Sequence, residues 1–354
     1  MSRTCKVTVN KESFTAKCGD LLLDGAIANG VDLPHDCRSG ICGSCKVRVE
    51  EGKVFGGQDG DSGMIYACQA RVVSDVKVLV EPVPDTVEVS SEIANLTRLA
   101  PDVFGVDLKL QKRLRYLPGQ YCKVQFRGYP ARCFSPTYPL QGAPRDRLFH
   151  FHLRVVQGGR VTSALGRDIR VGHRVKLMGP YGSAFFRPKH RGRVVIVASG
   201  TGFAPMWSVA TAAIKAAPQR ELVFIVTSRT LQSFYMHAAL CRLARFPRVS
   251  IIPIVSEPQT ASSAIRSGRP TEYMPELNPN DVVYTAGAPA MVEAIAKLAK
   301  AGGARCYTDP FSANHGAGEE VGLLTRLTGW LDGARSSGGG AMLQPMQAGS
   351  RMSA

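Results

Sequence analysis

Four cysteines constrain this chain more than any other feature of its sequence. Cys37, Cys42 and Cys45 follow the spacing C-x4-C-x2-C, and Cys68 lies further along. Three thiolates on one tight loop and a fourth from a separate element form the plant-type ligand pattern of a [2Fe–2S] cluster. The spacing therefore predicts that these four cysteines bind such a cluster, which carries single electrons and does no bond chemistry.

The residues between the cysteines suit the same interpretation. Gly40 and Gly43 allow unusual φ values and a close approach of the backbone to the cluster. Arg38 supplies a positive charge that would stabilise the reduced cluster. Structural zinc fits less well, because it usually takes two close ligand pairs separated by a longer gap. A disulfide framework is not expected, since no signal peptide is visible.

Length and composition bound the remaining choices. With 354 residues, of which 44% are hydrophobic, the chain is long enough for two or three packed domains. No apolar run is long enough to span a bilayer, so we expect no membrane association and a cytoplasmic location. Six further cysteines are expected to be small buried or semi-buried residues: Cys5, Cys18, Cys122, Cys133, Cys241 and Cys306.

The positive charge is concentrated in the middle of the chain. The formal net charge is +16, and residues 87–190 alone hold 18 lysines and arginines against 6 acidic residues. No basic run is interleaved with aromatic residues, so nucleic acid is not the expected partner. An acidic protein partner or phosphate-bearing cofactors would explain this charge, and a merely solvated basic surface is the alternative.

Hydrophobic periodicity divides the chain into three domains and a tail. Residues 1–85 read as a hairpin (3–9 and 12–17), a helix (20–30) and strands at 46–50 and 76–80, which predicts a β-grasp ferredoxin domain. Residues 86–189 alternate short strands with turns and predict a small antiparallel β-barrel. Residues 190–311 repeat βαβ units, with helices at 206–217, near 233–244 and at 290–301, and predict a doubly wound parallel α/β sheet. In the tail, 312–354, we expect an amphipathic helix over 319–332 and then disorder.

A glycine-rich turn follows the first buried strand of the parallel sheet. The sequence Gly-Thr-Gly-Phe-Ala-Pro at 200–205 would direct backbone N–H groups and a helix N-terminus at a pyrophosphate. Pro205 stands where a third glycine is usual, and Ser228 and Arg229 occupy the usual place of an acidic ribose-binding residue. The choice between NADH and NADPH therefore stays open. The alternative interpretation of residues 200–205 is a purely structural turn.

Two strands of the predicted barrel carry weaker signals. Arg132, Phe134 and Ser135 could neutralise a flavin pyrophosphate, pack on the ring and bond the flavin N5. Taken without the rest of the chain, these residues favour an ordinary barrel strand with a surface arginine. His152 and Arg154 alternate along one strand and would share a face. Taken singly, each is more often a surface residue than a ligand.

Taken in order, these motifs resemble one family over residues 5–311. The chain is similar to the NAD(P)H-dependent reductase components of bacterial aromatic-ring oxygenases, such as those of naphthalene dioxygenase and xylene monooxygenase. Further sequences that carry the resemblance are Asp36-Cys37, Pro118-Gly-Gln-Tyr121, Gly158-Gly-Arg-Val-Thr162, Gly179-Pro-Tyr-Gly182, Gly287-Ala-Pro-Ala-Met291 and Tyr307-Thr-Asp-Pro-Phe311.

The resemblance implies FAD in the barrel and assigns residues to it. Arg132 would meet the pyrophosphate, with Cys133 beside it on the strand, Phe134 would stack on one flavin face, and Ser135 would lie near N5. The adenosine would be lined by His152, Leu153, Arg154 and Val155, and the phosphates by Gly159, Arg160, Val161 and Thr162. The implied catalytic residues are Ser135, near N5, and Phe311, which would cover the other flavin face until nicotinamide displaces it.

The resemblance likewise assigns the nicotinamide cofactor to the parallel sheet. The implied binding residues are Gly200, Thr201, Gly202, Pro205, Ser228, Arg229, Tyr235, Gly287 and Met291. Two features depart from the family. Ala286 replaces a cysteine that often stands beside the nicotinamide, and 43 residues follow Phe311, which lies at or near the chain end in relatives.

Together these motifs predict an oxidoreductase that separates paired electrons. NAD(P)H would give a hydride to the flavin, and the cluster would take electrons one at a time. The predicted acceptor is a small ferredoxin or the terminal oxygenase of an aromatic-hydrocarbon dioxygenase system. The alternatives are a reductase of a soluble monooxygenase or of a deoxysugar dehydrase, and an NAD(P)H-responsive redox sensor with a regulatory partner bound through the tail.

Overall fold

The structure is a computed structural model that describes residues 3–59, 63–140, 143–257 and 264–311. All of these residues belong to the unit Met1–Gly316, and a second unit, Ala317–Ala354, lies outside the described residues. The amphipathic helix and disordered end expected within 312–354 therefore also lie outside them. No helix in the described ranges is long and apolar enough to cross a membrane.

The N-terminal domain is a mixed five-stranded sheet packed on one short helix. Its elements are β1 (Thr4–Val9), β2 (Glu12–Lys17), α1 (Leu22–Ala28), β3 (Lys46–Phe55), β4 (Met64–Tyr66) and β5 (Arg71–Leu79). The strand order is β2-β1-β5-β3-β4, with β1 parallel to β5 and the other pairs antiparallel. Leu22 and Leu23 of the helix are fully buried in one core with Val7 and Val78. This is the predicted β-grasp arrangement.

Strands β3 and β5 are longer than the sequence predicted. Two register shifts interrupt their pairing and break the alternation of side chains, so only one end of each strand was recognisable. Gly52 lies at one shift with φ at +85°, and a Cβ there would be 1.9 Å from the Asp75 carbonyl oxygen. The pairing continues beyond it to Phe55 and Arg71.

The middle of the chain forms the expected antiparallel barrel. Its strands are β6 (Val87–Ala100), β7 (Val103–Leu110), β8 (Tyr121–Phe126), β9 (Arg132–Phe134), β10 (Pro136–Thr137), β11 (Leu148–Arg154) and β12 (Arg174–Tyr181). They pair in the order β10-β11-β7-β6-β12-β8-β9. Their inward side chains, among them Leu108, Phe126 and Phe151, form one apolar core.

The two edges of this sheet meet at a single residue. Strands β9 and β10 stand at opposite ends of the strand order, yet only Ser135 separates them along the chain. The sheet is therefore nearly closed, and we call this place the seam. Thr137 fixes it from the β10 side, since its hydroxyl donates a 2.6 Å hydrogen bond to the carbonyl of Ala204.

The C-terminal part forms a six-stranded parallel sheet, the parallel-sheet domain. Its elements are β13 (Val194–Ser199), α2 (Phe203–Ala216), β14 (Leu222–Ser228), α3 (His237–Leu243), β15 (Val249–Val255), β16 (Arg266–Ser267), β17 (Val282–Gly287), α4 (Pro289–Ala301) and β18 (Arg305–Pro310). The order β16-β15-β14-β13-β17-β18 reverses direction beside β13. Ligands of such sheets bind at the carboxyl ends of the strands where the order reverses.

Helices cover both faces of this sheet, as predicted for a doubly wound fold. Met206 and Ala210 of α2 pack into the core on one face, and Ile295 and Ala299 of α4 pack into the core on the other. Some bounds differ from the sequence prediction. Helix α2 begins three residues earlier, α3 is shorter at both ends, and β18 was not recognised as a strand.

Candidate functional site

The cysteine loop lies between α1 and β3 and depends on left-handed backbone conformations. Gly40 and Gly43 have φ values of +75° and +74°, which confirms the predicted use of glycine at these positions. The N–H groups of Ser39 and Cys42 both point at the Cys37 sulfur, at 3.4 Å. This loop therefore already directs backbone donors at a thiolate position.

The fourth cysteine reaches the loop from beyond β4. Ala67 donates its N–H to the carbonyl of Cys45 at 3.0 Å, which brings the two chain segments together. The amide of Gln69 contacts the Cys68 sulfur at 3.7 Å and also donates to the carbonyl of Arg38 at 2.9 Å. Cys45 and Cys68 are buried, whereas Cys37 and Cys42 are half-buried.

Four thiols and inward N–H groups are the donor set that a [2Fe–2S] cluster requires. The described residues contain no group of three or more cysteine, histidine or acidic side chains arranged around a single metal ion. A two-iron cluster needs none, because two cysteines serve each iron. The residues therefore fit the cluster.

Cys18, Cys241 and Arg38 do not lie in the surroundings that the sequence predicted for them. Cys18 and Cys241 are exposed, so their interpretation as buried residues is wrong. Arg38 forms an ion pair with Asp24, and both side chains are about half exposed. Its charge is therefore partly neutralised by a neighbour as well as screened by water.

The seam of the barrel brings the serine candidate to an acidic residue that the sequence reasoning missed. Ser135 is buried, and its hydroxyl donates to Asp309 Oδ2 at 3.3 Å. Burial raises the pKa of the Asp309 carboxyl from its usual value of 3.8 to about 7, and the bond from Ser135 opposes this rise. Asp309 lies in the sequence Tyr307-Thr-Asp-Pro-Phe311, but its pairing with a residue 174 positions away leaves no local signal in the sequence.

Phe311 approaches the same place from the last strand. It follows β18, and its N–H donates to the carbonyl of Gly287 at 2.7 Å. Its side chain is half-buried and packs against the core that contains Phe203. Asp309 therefore contacts the seam of the barrel, and Phe311, two residues later, contacts the end of β17.

The strand before the seam holds the other flavin candidates. Arg132 is half-buried, and its guanidinium donates to the carbonyl of Ala131 at 2.9 Å. Phe134 is half-buried against the barrel core. Cys133 pairs with Lys123 on β8, and burial raises the pKa of its thiol to about 12, so the thiol stays protonated.

His152 is buried, although a single histidine on such a strand is more often a surface residue. Its ring lies parallel to Phe203 with centroids 6.4 Å apart, and its Nδ1 shares a 3.1 Å hydrogen bond with the Tyr235 hydroxyl. Burial lowers the pKa of the imidazole to about 3, which keeps it neutral. His152 and Tyr235, assigned to two different cofactors, therefore contact each other where the barrel meets the parallel-sheet domain.

The neighbours of His152 take ordinary positions. Leu153 belongs to the barrel core, and Arg154 is exposed and pairs with Asp102 at 3.2 Å. Val155 is half-buried and donates its N–H to the Asp102 carbonyl at 2.7 Å.

The loop after β11 is held in place by contacts among its own residues. Thr162 accepts a bond from the Val156 N–H at 3.0 Å, and a Cβ on Gly159 would lie 2.9 Å from the Val156 carbonyl oxygen. Arg160 is exposed and Val161 is buried. Of the four predicted phosphate-binding residues here, only Arg160 presents a charged group to solvent.

The glycine turn sits at the carboxyl ends of β13 and β17. Gly200–Gly202 forms a short 3-10 turn that leads into α2. A Cβ on Gly202 would be 2.3 Å from the Ala286 carbonyl oxygen, and one on Gly287 would be 2.2 Å from Ser199 Oγ. Only glycine fits at either place. Thr201 is half-buried in the turn, Pro205 is buried in the first turn of α2, and Met291 is partly buried against the core beneath α4.

The remaining nucleotide candidates lie at the end of β14. Ser228 is buried and donates to the carbonyl of Thr230 at 2.7 Å. Arg229 has a largely exposed side chain whose Nε donates to Glu257 at 2.6 Å. The Tyr235 hydroxyl is hydrogen-bonded to Nδ1 of His152.

Arg187 connects all three domains, and nothing in the sequence identified it. Its guanidinium makes bonds of 2.6–3.0 Å to Glu81 in the linker between β5 and β6, residues 80–86, and a bond of 2.8 Å to the Phe185 carbonyl after the barrel. It also lies 3.7 Å from the ring of Tyr307 on β18, while its backbone N–H donates to the Tyr284 hydroxyl.

Three family models match the chain in the order of its domains. The 2Fe-2S iron-sulfur cluster binding domain matches residues 7–73, the oxidoreductase FAD-binding domain matches 90–186, and the oxidoreductase NAD-binding domain matches 196–297. With the folds and the donor groups described above, they define an oxidoreductase with a [2Fe–2S] cluster, FAD and a nicotinamide cofactor.

Relatives narrow this class. The chain is 30% identical to the ferredoxin–NAD(P)(+) reductase component of the naphthalene 1,2-dioxygenase system of Pseudomonas putida, over 82% of this chain and 92% of that one. It is 31% identical to the reductase component of the naphthalene 1,2-dioxygenase/salicylate 5-hydroxylase systems of a Ralstonia species, over 80% and 89%. The crystal structure of the Amycolatopsis cytochrome P450 reductase GcoB aligns with a TM-score of 0.65 and 27% identity, over 87% of this chain and 99% of that one.

The chain belongs to the family of ferredoxin–NAD(P)(+) reductase components of bacterial oxygenase systems. It transfers electrons from NAD(P)H through FAD to a [2Fe–2S] cluster, as its three cofactor domains require.

Proposed function

We propose that this reductase supplies single electrons to a small ferredoxin or to the terminal oxygenase of an aromatic-hydrocarbon dioxygenase system. The observation that carries the proposal is the meeting of Ser135, Asp309 and Phe311 beside the glycine turn, with the cysteine loop anchored to the neighbouring strand β8. The reductases named above serve naphthalene dioxygenase systems, which supports this class of acceptor.

The test uses full-length protein loaded with FAD and cluster. Anaerobic NADH or NADPH should bleach the flavin and cluster absorbance, and reoxidation should be fast with a ferredoxin or oxygenase of this class. If docking uses the excess of basic residues in 87–190, the rate should also fall as salt is raised. No bleaching with either coenzyme would refute the proposal.

We assign the cofactor residues by the same reasoning. When bound, FAD accepts a hydride from NAD(P)H and releases its electrons singly to the cluster, which Cys37, Cys42, Cys45 and Cys68 would hold. The FAD-binding residues are Arg132, Cys133, Phe134, Ser135, His152, Leu153, Arg154, Val155, Gly159, Arg160, Val161, Thr162 and Phe311. The nicotinamide cofactor would contact Gly200, Thr201, Gly202, Pro205, Ser228, Arg229, Tyr235, Gly287 and Met291.

The domains that carry these residues are proposed to span 1–85, 86–189 and 190–311. The three family matches fall inside these ranges, which supports them. A cytoplasmic location remains a prediction from the sequence.

Asp309 and Ser135 are proposed to move a proton at the seam. A carboxyl group with a pKa of about 7 can hold or accept a proton at physiological pH, and the Ser135 hydroxyl is its hydrogen-bond partner. Below pH 7 the group is protonated, and above pH 7 it is ionised and can accept a proton. Electron release to the cluster should therefore accelerate as the pH rises through 7.

The variant Asp309→Asn tests this role. It should lose the inflection near pH 7 and slow electron release by about 10-fold or more. The matched control is Asp85→Asn in the exposed linker, which should keep the parent profile. An unchanged pH profile in Asp309→Asn would contradict the assignment.

Glu257 is proposed to influence coenzyme choice. Its carboxylate pairs with Arg229, whose guanidinium could hold the 2′-phosphate of NADPH or stack on the adenine. Glu257→Gln should release Arg229 and raise kcat/KM for NADPH relative to NADH several-fold, because about 1 kcal/mol corresponds to a factor of roughly 5. The control is Glu272→Gln, which should leave the ratio unchanged. An unaltered ratio in Glu257→Gln would refute the role.

Two alternatives can be tested, and the first has specific support. The chain is 30% identical to the electron transfer component of a xylene/toluene monooxygenase of Pseudomonas putida, over 81% of this chain, which favours testing a monooxygenase acceptor. The NAD-binding match ends at residue 297, and the tail 312–354 lies well beyond it. Deleting the tail should spare electron transfer if the tail binds a regulatory partner, and should abolish it if the tail contacts the acceptor.

A further inference from the structure

The cysteine loop is attached to the barrel at both of its ends. Asp36, directly before Cys37, accepts a 2.6 Å hydrogen bond from the Tyr121 hydroxyl and forms an ion pair with Lys123. At the other end Ser44, directly before Cys45, accepts the N–H of Gly182 at 2.9 Å. Two attachments, one before the first ligand and one between the second and third, fix the orientation of the loop and not only its distance from the barrel.

The first attachment is a buried ionic contact. The Asp36 side chain is only 6% exposed, and that of Lys123 is 34% exposed. Tyr121 is buried, and its ring packs 5.7 Å from that of Tyr181, over which the Lys123 ammonium lies at 5.2 Å. A carboxylate with so little access to water depends on these two partners, so the loop cannot leave the barrel without exposing the group or losing them.

Both barrel partners belong to β8, the strand next to the flavin candidates. In the register of β8 and β9, Lys123 lies opposite Cys133 and Cys122 lies opposite Phe134. Neighbouring strands are about 4.8 Å apart. The anchor of the cysteine loop is therefore one strand away from the residues assigned to FAD.

Beside the second attachment the loop backbone touches the barrel at Gly43. A Cβ on Gly43 would be 2.3 Å from Ser183 Oγ, so the loop backbone and the end of the barrel are in direct contact. The loop therefore rests on the barrel at its glycine as well as at Asp36.

We propose that Tyr121 and Lys123 are positioning residues for electron transfer, which act through Asp36 to hold the cluster at a fixed distance and orientation from the flavin. Electron tunnelling falls steeply with distance, so a small displacement of the loop slows this one step and leaves hydride transfer intact. The proposal rests on the proposed placement of FAD along β9.

The experiment measures the two steps separately in full-length holo-protein. Lys123→Met removes the charge and keeps the stem, Tyr121→Phe removes only the hydroxyl, and Lys123→Arg restores a cation. Lys176→Met is the matched control, because Lys176 pairs with Glu88 on an exposed part of the same sheet. Anaerobic stopped-flow absorbance follows flavin reduction by NADH or NADPH and then cluster reduction, and iron content and the spectrum of the reduced cluster are recorded for each variant.

We expect flavin reduction at the parent rate in every variant. Cluster reduction should slow roughly 10-fold in Lys123→Met and measurably in Tyr121→Phe, recover in Lys123→Arg and stay unchanged in Lys176→Met. Parent rates of cluster reduction in both Lys123→Met and Tyr121→Phe would overturn the proposal, as would iron loss in proportion to the lost rate with no recovery in Lys123→Arg. Failure of the parent protein to bleach with either coenzyme would instead refute the proposed function.

Discussion

The barrel contacts its two neighbours through different sets of groups. Toward the N-terminal domain the contacts are ionic and hydrogen-bonded, with Asp36 and Lys123 at their centre. Toward the parallel-sheet domain hydrogen bonds are joined by a cluster of aromatic rings, in which Phe203 lies between His152 and the core. Charge-assisted hydrogen bonds are directional, whereas packed rings contribute mainly buried apolar area. The first set of contacts therefore holds the orientation of the cysteine loop, and the aromatic cluster excludes water from the second interface.

The largest expected effect on stability comes from removing the Phe203 ring at the centre of the aromatic cluster. Phe203 is fully buried, and its ring centroid lies 5.8–6.4 Å from those of His152, Trp207, Phe224 and Tyr235. Phe203→Ala should lower the free energy of unfolding by about 3–5 kcal/mol, because it leaves a cavity in a packed core. Urea denaturation would measure this. The control Phe55→Ala, at a position that is 71% exposed, should cost less than about 0.5 kcal/mol, and equal losses would contradict the prediction.

A smaller effect on stability is expected at Arg187, which contacts both neighbours of the barrel. Arg187→Met removes the charge bound to Glu81 and stacked on Tyr307. Glu81 is 46% exposed, so water screens part of the pair, and we expect a loss of about 2 kcal/mol in the free energy of unfolding. Exposed Lys189→Met should change it by less than about 0.5 kcal/mol. A loss no larger than that of the control would show that the three domains do not depend on Arg187.

The last effect is negligible at pH 7, appears only in acid and belongs to His152. Burial lowers its pKa to about 3, whereas in the unfolded chain the imidazole takes a proton near its usual value of 6.5. The contribution to stability is therefore complete above pH 6.5 and is lost as the pH falls toward 3, by up to about 1.4 kcal/mol per pH unit. His152→Gln should flatten this part of the stability profile relative to exposed His237→Gln. Identical slopes in the two variants would contradict the burial argument.

The sequence was sufficient where the chemistry is local. The cysteine loop spans nine residues, and its glycines and spacing predicted both its conformation and its cluster. The strand and helix periods likewise predicted a barrel and a parallel sheet, although the register shifts near Gly52 concealed half of β3 and β5.

Contacts between distant residues were beyond such reasoning. Ser135 and Asp309 are 174 positions apart, and Arg187 and Glu81 are 106 apart. His152 contacts Phe203 and Tyr235 of the parallel-sheet domain, and the alternation along its own strand does not reveal these contacts. Such pairings are set by how the domains dock, which periodicity within one element does not encode.

The single residue between β9 and β10 sets a limit on how this protein can vary. A strand shifted by one residue turns its side chains to the opposite face. One amino acid inserted beside Ser135 would therefore rotate Thr137 away from the Ala204 carbonyl, or Phe134 out of the barrel core. Changes in chain length should be tolerated elsewhere on the barrel but not at this closing point, whose length is dictated by the fold itself.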